Sequence, residues 1–219
     1  MPTSKETGIL FTPENIRAIR DGRKSQTRRV MVPQQSFDHY HTMWCWKTLV
    51  LDNIWDFPNG DDRKELAAHC PYGVPGDRLY IKEGVIVDEA FNPPELAGYY
   101  IDGARATLPN QKRLTAMFMA KRYARTWLEI TDVRVERLQD ISDEDARAEG
   151  VSPQIVTEQD IQDTINGASE PHIKELARIL GPGEFTARFK FMELWDSINR
   201  KKYPWESNPW VWAITFMAS

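Results

Sequence analysis

The sequence predicts an α+β fold, because strand-forming segments and helical segments follow one another without strict βαβ order. Apolar or alternating segments typical of strands lie at residues 8–11, 28–33, 78–83, 125–138 and 211–217. Helix-start residues and helical spacing occur at residues 12–22, 142–150 and 184–199. With 219 residues and no low-complexity segment, we expect a single domain that spans residues 1–219.

The first helix has well-marked ends. Residues 8–11 read as a short apolar strand, after which Thr12 suits the N-cap and Pro13 suits the first helical position. Gly22 suits the position after the last turn, where a left-handed backbone is common. We therefore predict a helix between Thr12 and Gly22, followed by an extended segment that ends at Pro33.

The second half of the chain has similar signals. Leu79 and Ile81 alternate with polar residues in the strand at 78–83. Ser142 suits the N-cap of a short helix that ends at Gly150, and acidic residues in its first turn complement the helix dipole. The later helix, at 184–199, is predicted to pack through one apolar stripe formed by Phe185, Phe189, Met192 and Trp195.

Two segments interrupt these elements and are interpreted as insertions. Approximately residues 34–70 contain tryptophans and turn residues without a clear periodicity, so we expect irregular structure packed on the body. Approximately residues 152–182 show helical spacing that glycine and proline interrupt, so we expect a helical insertion there.

Charge is unevenly distributed in a chain whose formal net charge is −4. Residues 17–29 contain six basic residues and one acidic residue, whereas residues 140–149 contain five acidic residues and one basic residue. A local basic surface on an acidic body suits one nucleotide or a short single strand better than a long duplex. No apolar run reaches the roughly 20 residues of a membrane span, and the N-terminus lacks a secretory signal. We therefore expect a cytoplasmic protein without a membrane partner.

Cysteine and histidine residues cluster in the first insertion, at His39, His41, Cys45, His69 and Cys70. Imidazole and thiolate are the usual ligands of zinc, so these residues could bind a metal. The C-x-x-C and H-x-x-x-H spacings that identify zinc sites are absent, however. We therefore predict no metal and no cofactor.

The segment from Gly22 to Arg29 carries the strongest functional signal, because it places Lys24, Thr27 and Arg29 in one short loop. An amine, a hydroxyl and a guanidinium at this spacing can bind an anion or activate a nucleophile, although a solvated basic loop has the same composition. Far downstream, Glu149 lies at the end of a short helix, where the helix dipole disfavours a carboxylate. Such a carboxylate can serve as a general acid or base, or be an exposed helix-end residue.

The same loop resembles the G-x-K-x-x-T-x-R signature of the ASCH family, a branch of the PUA-like superfamily. Other segments resemble those of phage and prophage ASCH proteins, at residues 70–83, 130–150, 194–199 and 208–212. The two insertions are the least similar parts. The resemblance implies a curved mixed β-sheet or pseudobarrel of five to six strands with flanking helices.

The resemblance also implies a function. Small bacterial ASCH proteins include an amidohydrolase that removes the acetyl group from N4-acetylcytidine, and its catalytic lysine, threonine and glutamate correspond to Lys24, Thr27 and Glu149. Arg29 would then anchor the substrate or brace the loop. The implied partner is a nucleoside or single-stranded RNA, and the implied reaction needs no metal. A non-catalytic reader of RNA or modified nucleic acid and a ribonuclease are the alternatives.

Three further residues are candidates for substrate binding. Tyr123 and Arg125 lie in a basic and aromatic run, where a base could stack beside a phosphate contact. A core tyrosine beside an exposed arginine is the alternative. Glu83 ends its strand and could reach the same groove, or it could pair with Lys82 or Arg78.

Overall fold

The computed structural model describes residues 4–32, 34, 36–38, 43–47, 54–57, 66–156, 159, 162–163, 166 and 183–219. These residues combine β-sheets with a small number of helices, which confirms the predicted α+β class. Within this part of the chain, no helix has both the length and the apolar character needed to cross a membrane.

The first strands in chain order are β1 (Glu6–Leu10), β2 (Gln26–Val30), β3 (Ser36–Asp38), β4 (Met43–Lys47), β5 (Ile54–Phe57), β6 (Arg78–Lys82) and β7 (Val85–Asp88). The later strands are β8 (Glu95–Tyr99), β9 (Gln111–Leu114), β10 (Trp127–Arg137), β11 (Gln154–Val156), β12 (Gly183–Phe185) and β13 (Trp210–Ala218). The helices relevant to the site are α1 (Pro13–Arg20), α2 (Asp143–Ala148) and α3 (Ala187–Asn199).

A five-stranded mixed sheet forms the centre of the molecule, in the order β1-β6-β10-β13-β2. The β1–β6 pair is parallel and the other pairs are antiparallel. The sheet is open, with β1 and β2 as its two edges. Between these edges the Arg29 side chain donates a hydrogen bond from Nη2 to the carbonyl oxygen of Leu10, at 2.6 Å. The expected closure into a pseudobarrel is therefore not made by a backbone ladder.

Strand β13 explains how the sheet carries helices on both faces. Its residues Trp210–Ile214 are all buried, as expected for a strand covered on both sides. Trp212 and Ile214 pack in one apolar cluster that includes Ile16 and Ile19 of α1. Val211 packs in a second cluster with Phe191 and Trp195 of α3. The β2 edge beside β13 therefore lies between α1 and α3, and the candidate site forms there.

Strand β10 confirms the predicted strand at 125–138 almost to its ends. Its side chains Leu128, Ile130, Val133 and Val135 are buried. The register with β13 shifts between Ile130 and Asp132, a β-bulge that inserts one residue. Because of this bulge, Ile130 and Val133 both face the core although they are three residues apart.

The two insertions differ from expectation where they are described. Within 34–70, β3, β4 and β5 form a small antiparallel sheet instead of irregular structure. In the second insertion, β11 and β12 pair at its two ends. Because strand β12 keeps the backbone extended as far as Phe185, α3 begins at Ala187 and not near residue 184 as predicted. Most of the expected helical region lies outside the described residues.

The later start of α3 also changes the side chains that it buries. Thr186 is the N-cap, and its hydroxyl accepts a hydrogen bond from the backbone N–H of Phe189. Phe191 and Trp195 are then buried one turn apart, whereas Phe189 and Met192 are only half-buried. The predicted stripe was wrong except for Trp195.

A further sheet, in the order β8-β7-β9, occupies a region for which no strands were predicted. Strand β7 is apolar and buried, but β8 and β9 present mostly exposed or half-buried side chains. Neither β8 nor β9 shows the apolar alternation from which a strand is recognised in sequence.

Candidate active site

The loop after α1 is held by hydrogen bonds from three elements. The backbone N–H groups of Arg23 and Lys24 both donate to the carbonyl oxygen of Ala18, at 2.8 and 3.1 Å. The N–H of Ser25 donates to the carbonyl oxygen of Ala148 in α2 at 2.8 Å, and the carbonyl oxygen of Ser25 accepts from Phe216 of β13. Because Ala148 has a carbonyl that its short helix cannot satisfy, this contact docks the loop onto the end of α2.

The end of α2 fits closely against this loop. Ser142 caps the start of the helix, and Glu149 caps its end. Gly150 follows with φ +90°, a left-handed conformation that favours glycine. A Cβ atom at Gly150 would lie 3.0 Å from Cβ of Lys24, which is tighter than ordinary van der Waals contact. Glycine at this position therefore lets Lys24 approach the helix end.

Lys24 and Glu149 form a buried ion pair. Nζ of Lys24 lies 2.6 Å from Oε2 of Glu149, and the two side chains are only 2% and 4% exposed. Nζ also donates to the backbone carbonyl oxygen of Glu149 at 2.8 Å. The lysine therefore compensates both the carboxylate and the negative pole of α2.

The surroundings favour the neutral form of Lys24 more than water does. Burial lowers the pKa of Lys24 from its ordinary value of 10.5, whereas the Glu149 carboxylate raises it. The positive charges of Arg29 and Arg28 lower it further, and the net direction is downward. A lysine in such a site can accept a proton more readily near neutral pH than an exposed one.

A cavity of about 290 Å³ opens onto this pair. Its polar lining includes Lys24, Thr27, Arg29 and Glu149. The structure therefore brings together the three predicted catalytic residues and one of the four predicted substrate-binding residues. The volume is near the lower end for ligand pockets, which suits a small molecule or a single base.

Apolar side chains from three elements form the walls of the cavity. Strand β1 and the segment that joins it to α1 contribute one wall, and α3 contributes the other; the members include Leu10, Phe11, Phe191, Leu194, Trp195 and Ile198. Aromatic rings offer flat surfaces on which a base can stack. None of these residues was predicted as part of the site, and of those on α3 only Trp195 belonged to the predicted apolar stripe.

Arg29 is fixed beside the cavity by Phe11 and the edge of β1. Its guanidinium carbon lies 4.9 Å from the centre of the Phe11 ring, and Nη2 bonds to the Leu10 carbonyl oxygen. Its Nε is buried and has no hydrogen-bond partner within the described residues. Burial lowers the pKa of Arg29 from its ordinary value. A buried donor without an acceptor is a group that a ligand can satisfy.

Glu83 and Arg125 lie in a different cluster and do not line this cavity. Glu83 is 2% exposed, and it accepts from Nε and Nη2 of Arg125 at 3.1 and 3.0 Å and from Nη2 of Arg20 at 2.7 Å. Arg125 also pairs with Asp102 and covers the Tyr99 ring at 3.5 Å. Neither residue reaches the Lys24 groove, and Glu83 is a paired carboxylate as its alternative interpretation held, because a buried carboxylate needs its own cations. These cations are Arg20 and Arg125, not the predicted Lys82 or Arg78.

Tyr123 is a core residue, as its alternative interpretation held. It is 7% exposed and packs with Val85, Val87 and Met119. Its hydroxyl donates to the Pro94 carbonyl oxygen, and the Arg122 guanidinium lies 4.7 Å from its ring centre. The ring is therefore not a stacking platform for the Lys24 cavity.

Only some of the cysteine and histidine residues that were considered as metal ligands lie in the described part of the chain. The side chains of His39, His41 and Cys45 lie outside the described residues. Cys70 is a buried free thiol whose pKa burial raises. Among the residues that the structure describes, no group of three or more histidines, cysteines or carboxylates could hold a metal ion.

Arg28 also lies beside the site, although it was not among the site residues predicted from the sequence. Its side chain is fully buried and contacts carboxylates of Glu136, Asp145 and Glu149. The opposite charges of segments 17–29 and 140–149 were a signal for this pairing. The four-residue spacing of Asp145 and Glu149, which puts both on one side of α2, was a second signal.

Comparison with known proteins adds no relative to this picture. No protein-family model, curated protein or solved structure matches the chain. Any proposal of function therefore depends on the geometry of the cavity and on the Gly22–Arg29 segment.

Proposed function

We propose that the protein is a metal-independent amidohydrolase that removes an acyl group from the exocyclic amine of a cytidine-type nucleoside. The observation that carries the proposal is the buried Lys24–Glu149 pair, 2.6 Å apart, at a cavity that Thr27 also lines. Amide hydrolysis needs a nucleophile and a group that carries its proton, and these side chains supply both.

The size and walls of the cavity support a nucleoside-sized substrate. A volume of about 290 Å³ suits one base and part of its sugar better than a polymer. Phe11, Phe191 and Trp195 supply apolar, aromatic walls against which a base can pack. Single-stranded RNA would enter only if one nucleotide were turned into the cavity. We further propose that the protein acts in the cytoplasm.

The chemistry begins with proton transfer between the two buried groups. Glu149 can take the proton of Lys24, which leaves Lys24 as a neutral amine at the cavity that Thr27 also lines. The Thr27 hydroxyl then attacks the acyl carbonyl carbon while its proton passes to Lys24. The C–N bond breaks, and the cytidine amine leaves with a proton that Lys24 returns. A water molecule finally hydrolyses the acyl-threonine ester, so one water is consumed and a carboxylic acid is released. Direct attack by water is the alternative to attack by Thr27.

Arg29 would stabilise the charge that develops on the acyl oxygen. Its buried Nε is a donor without a partner in the described structure, and a donor held in place before reaction is effective in a water-poor site. The contacts of Arg29 with Leu10 and Phe11 would keep that donor aimed during turnover.

We infer membership of the ASCH family, with a PUA-like sheet, from the same residues. The Gly22–Arg29 segment is not one loop as expected: it runs from the turn after α1 into the edge strand β2, which carries Thr27 and Arg29, and the mixed sheet has five strands. Both features are compatible with the fold that the resemblance implies.

The experiment is a hydrolysis assay of the full chain on cytidines that carry N4-acyl groups of increasing length. Loss of the acyl absorbance with release of cytidine and carboxylate supports the proposal. An acetyl adduct on Thr27, trapped by rapid acid quenching and located by mass spectrometry, would identify the nucleophile. Tight binding of these nucleosides without hydrolysis would favour the non-catalytic reader.

A further inference from the structure

Arg28 is the most extensively bonded side chain beside the cavity, and the proposed reaction does not use it. Its guanidinium is 0% exposed and has an acceptor on every side. Nε and Nη2 contact Oε1 of Glu136 at 2.8 and 2.6 Å, and Nη2 also contacts Oδ2 of Asp145 at 3.0 Å. Nη1 contacts Oε1 of Gln26 at 2.6 Å and Oε1 of Glu149 at 3.2 Å. All five N–H donors of an arginine can be satisfied in this way.

We propose that Arg28 is a positioning residue, which acts through Glu149 and sets the proton affinity of Lys24. It holds Oε1 of Glu149, so that Oε2 faces Nζ of Lys24. It also keeps a permanent positive charge beside the lysine. The catalytic meaning of this role rests on the proposed function, but the role itself can be measured without turnover.

The guanidinium shape is what makes this role possible. Asp145 lies in the first turn of α2 and Glu149 caps its end one turn later, and the fork of Arg28 contacts both. Glu136 on β10 and Gln26 on β2 hold the rest of the fork. A lysine has one ammonium group and no fork, so it cannot make these contacts together.

The charged groups that face Lys24 are few, and their effects can be separated. Glu149 at the end of α2 raises the pKa of Lys24, whereas burial and the guanidinium groups of Arg29 and Arg28 on β2 lower it. Loss of the Arg28 charge removes one like charge. It also leaves Lys24 as the cation in direct contact with the Glu149 carboxylate. Both effects favour the protonated lysine.

Arg134 provides a matched control. It contacts the same Asp145 oxygen at 2.7 Å, but its side chain is 42% exposed. Its ion pairs in the described structure are with Asp132, Glu136 and Asp145, not with Glu149. Arg134→Gln therefore removes an arginine from the same network without changing what holds Glu149.

The test is an NMR titration of the Lys24 side chain in the full-length protein labelled with 13C-lysine, with Lys24→Met used for assignment. The proposal expects the midpoint of the Lys24 titration to move to higher pH in Arg28→Gln and to stay at the wild-type position in Arg134→Gln. Equal midpoints in Arg28→Gln and wild type, or the same displacement in both variants, would overturn it.

A second measurement applies even if Arg28→Gln fails to fold. In the wild-type protein, the guanidinium 15N and proton resonances of Arg28 should change with the same midpoint as Lys24, because both contact one carboxylate. Arg28 resonances that do not respond at that midpoint would overturn the proposal. If wild type hydrolyses acylated cytidines, Arg28→Lys should lower kcat at least about tenfold with little change in KM. An inactive wild type with a coupled titration would reject the reaction and retain the positioning role.

Discussion

Glu149 and Glu83 show what distinguishes a candidate site from a structural ion pair. Both were predicted site residues, and both are buried, at 3% and 2% exposure. Glu149 lies between Lys24 and Arg28, whereas Glu83 lies between two arginines. A lysine can release its proton in a protein, but an arginine stays charged. The chemistry of the paired cation, not the burial of the carboxylate, therefore marks a place where a proton can move.

The pKa values of the two paired cations, Lys24 and Arg125, shift in opposite directions. Burial lowers the pKa of Lys24, and its pairing with Glu149 only partly offsets this effect. Burial also disfavours the charged form of Arg125, but its hydrogen bonds with Glu83 and Asp102 outweigh burial and raise the pKa of Arg125. Arg125 is therefore held in its charged form, while Lys24 can release its proton more readily than an exposed lysine.

The largest expected effect is on turnover. Lys24→Met and Glu149→Gln should each lower kcat for an N4-acylated cytidine by about a thousandfold or more, because each removes one member of the proton-transfer pair. The double variant should be little worse than either single one. Glu83→Gln is the control and should retain turnover within about threefold of wild type. Equal losses of kcat in Glu83→Gln and Lys24→Met would contradict the distinction between a catalytic Lys24–Glu149 pair and a structural Glu83 cluster.

The next effect concerns stability in the other cluster. Glu83→Gln leaves Arg20 and Arg125 without their buried carboxylate, and the free energy of unfolding should fall by about 3 kcal/mol. Both arginines keep Asp102 and partial contact with solvent, which limits the loss. Urea denaturation at neutral pH would measure it. An unchanged midpoint would show that this cluster does not stabilise the fold.

The response to pH should separate the two carboxylates further. In Glu149→Gln, Lys24 loses the group that raises its pKa, so its folded pKa lies further below the ordinary value of 10.5. Between those two values the unfolded chain binds more protons than the folded one, so stability rises with pH. The stability deficit of Glu149→Gln relative to wild type should therefore shrink as pH rises towards 10.5.

The deficit of Glu83→Gln should stay constant over the same range, because its arginines do not titrate there. Urea denaturation at several pH values, with wild type measured alongside, compares the two variants directly. Parallel pH dependence in both would mean that Lys24 keeps its proton as firmly as Arg125 does.

The smallest effect is expected at Asp102, the exposed member of the Glu83 cluster. Its side chain is 48% exposed, so Asp102→Asn should lower the free energy of unfolding by less than about 1 kcal/mol. The Arg125 hydrogen bond lowers the pKa of Asp102, so this contribution is present above the ordinary carboxyl pKa and is lost as pH falls through the folded value. Added salt should reduce the difference from wild type. A loss as large as that of Glu83→Gln would show that solvent does not screen this pair.

Local chemistry explains which features could be predicted from the sequence. Thr12 and Ser142 cap their helices as predicted, because a cap depends only on a few neighbouring residues. The grouping of Lys24, Thr27 and Glu149 was expected from the resemblance of the Gly22–Arg29 segment to the ASCH signature, and all three line one cavity.

The remaining features depend on tertiary packing. Arg28 is buried only because α2, β10 and β2 each bring it an acceptor, and no local pattern predicts that convergence. Phe191 was missed because the β11–β12 ladder delays the start of α3. Glu83 and Arg125 were assigned to the wrong place, because a sequence does not show which cations a carboxylate will meet.

The most direct test of the Lys24 site is Thr27→Ala, measured both for turnover and for binding. We expect Thr27→Ala to bind N4-acetylcytidine with a loss of no more than about one hydrogen bond, roughly 0.5–1.5 kcal/mol by calorimetry, while hydrolysis falls to background. Wild type must hydrolyse the same substrate under the same conditions. Undiminished turnover in Thr27→Ala would contradict Thr27 as nucleophile. Equal binding without hydrolysis by either protein would contradict the amidohydrolase and leave a reader of modified nucleosides.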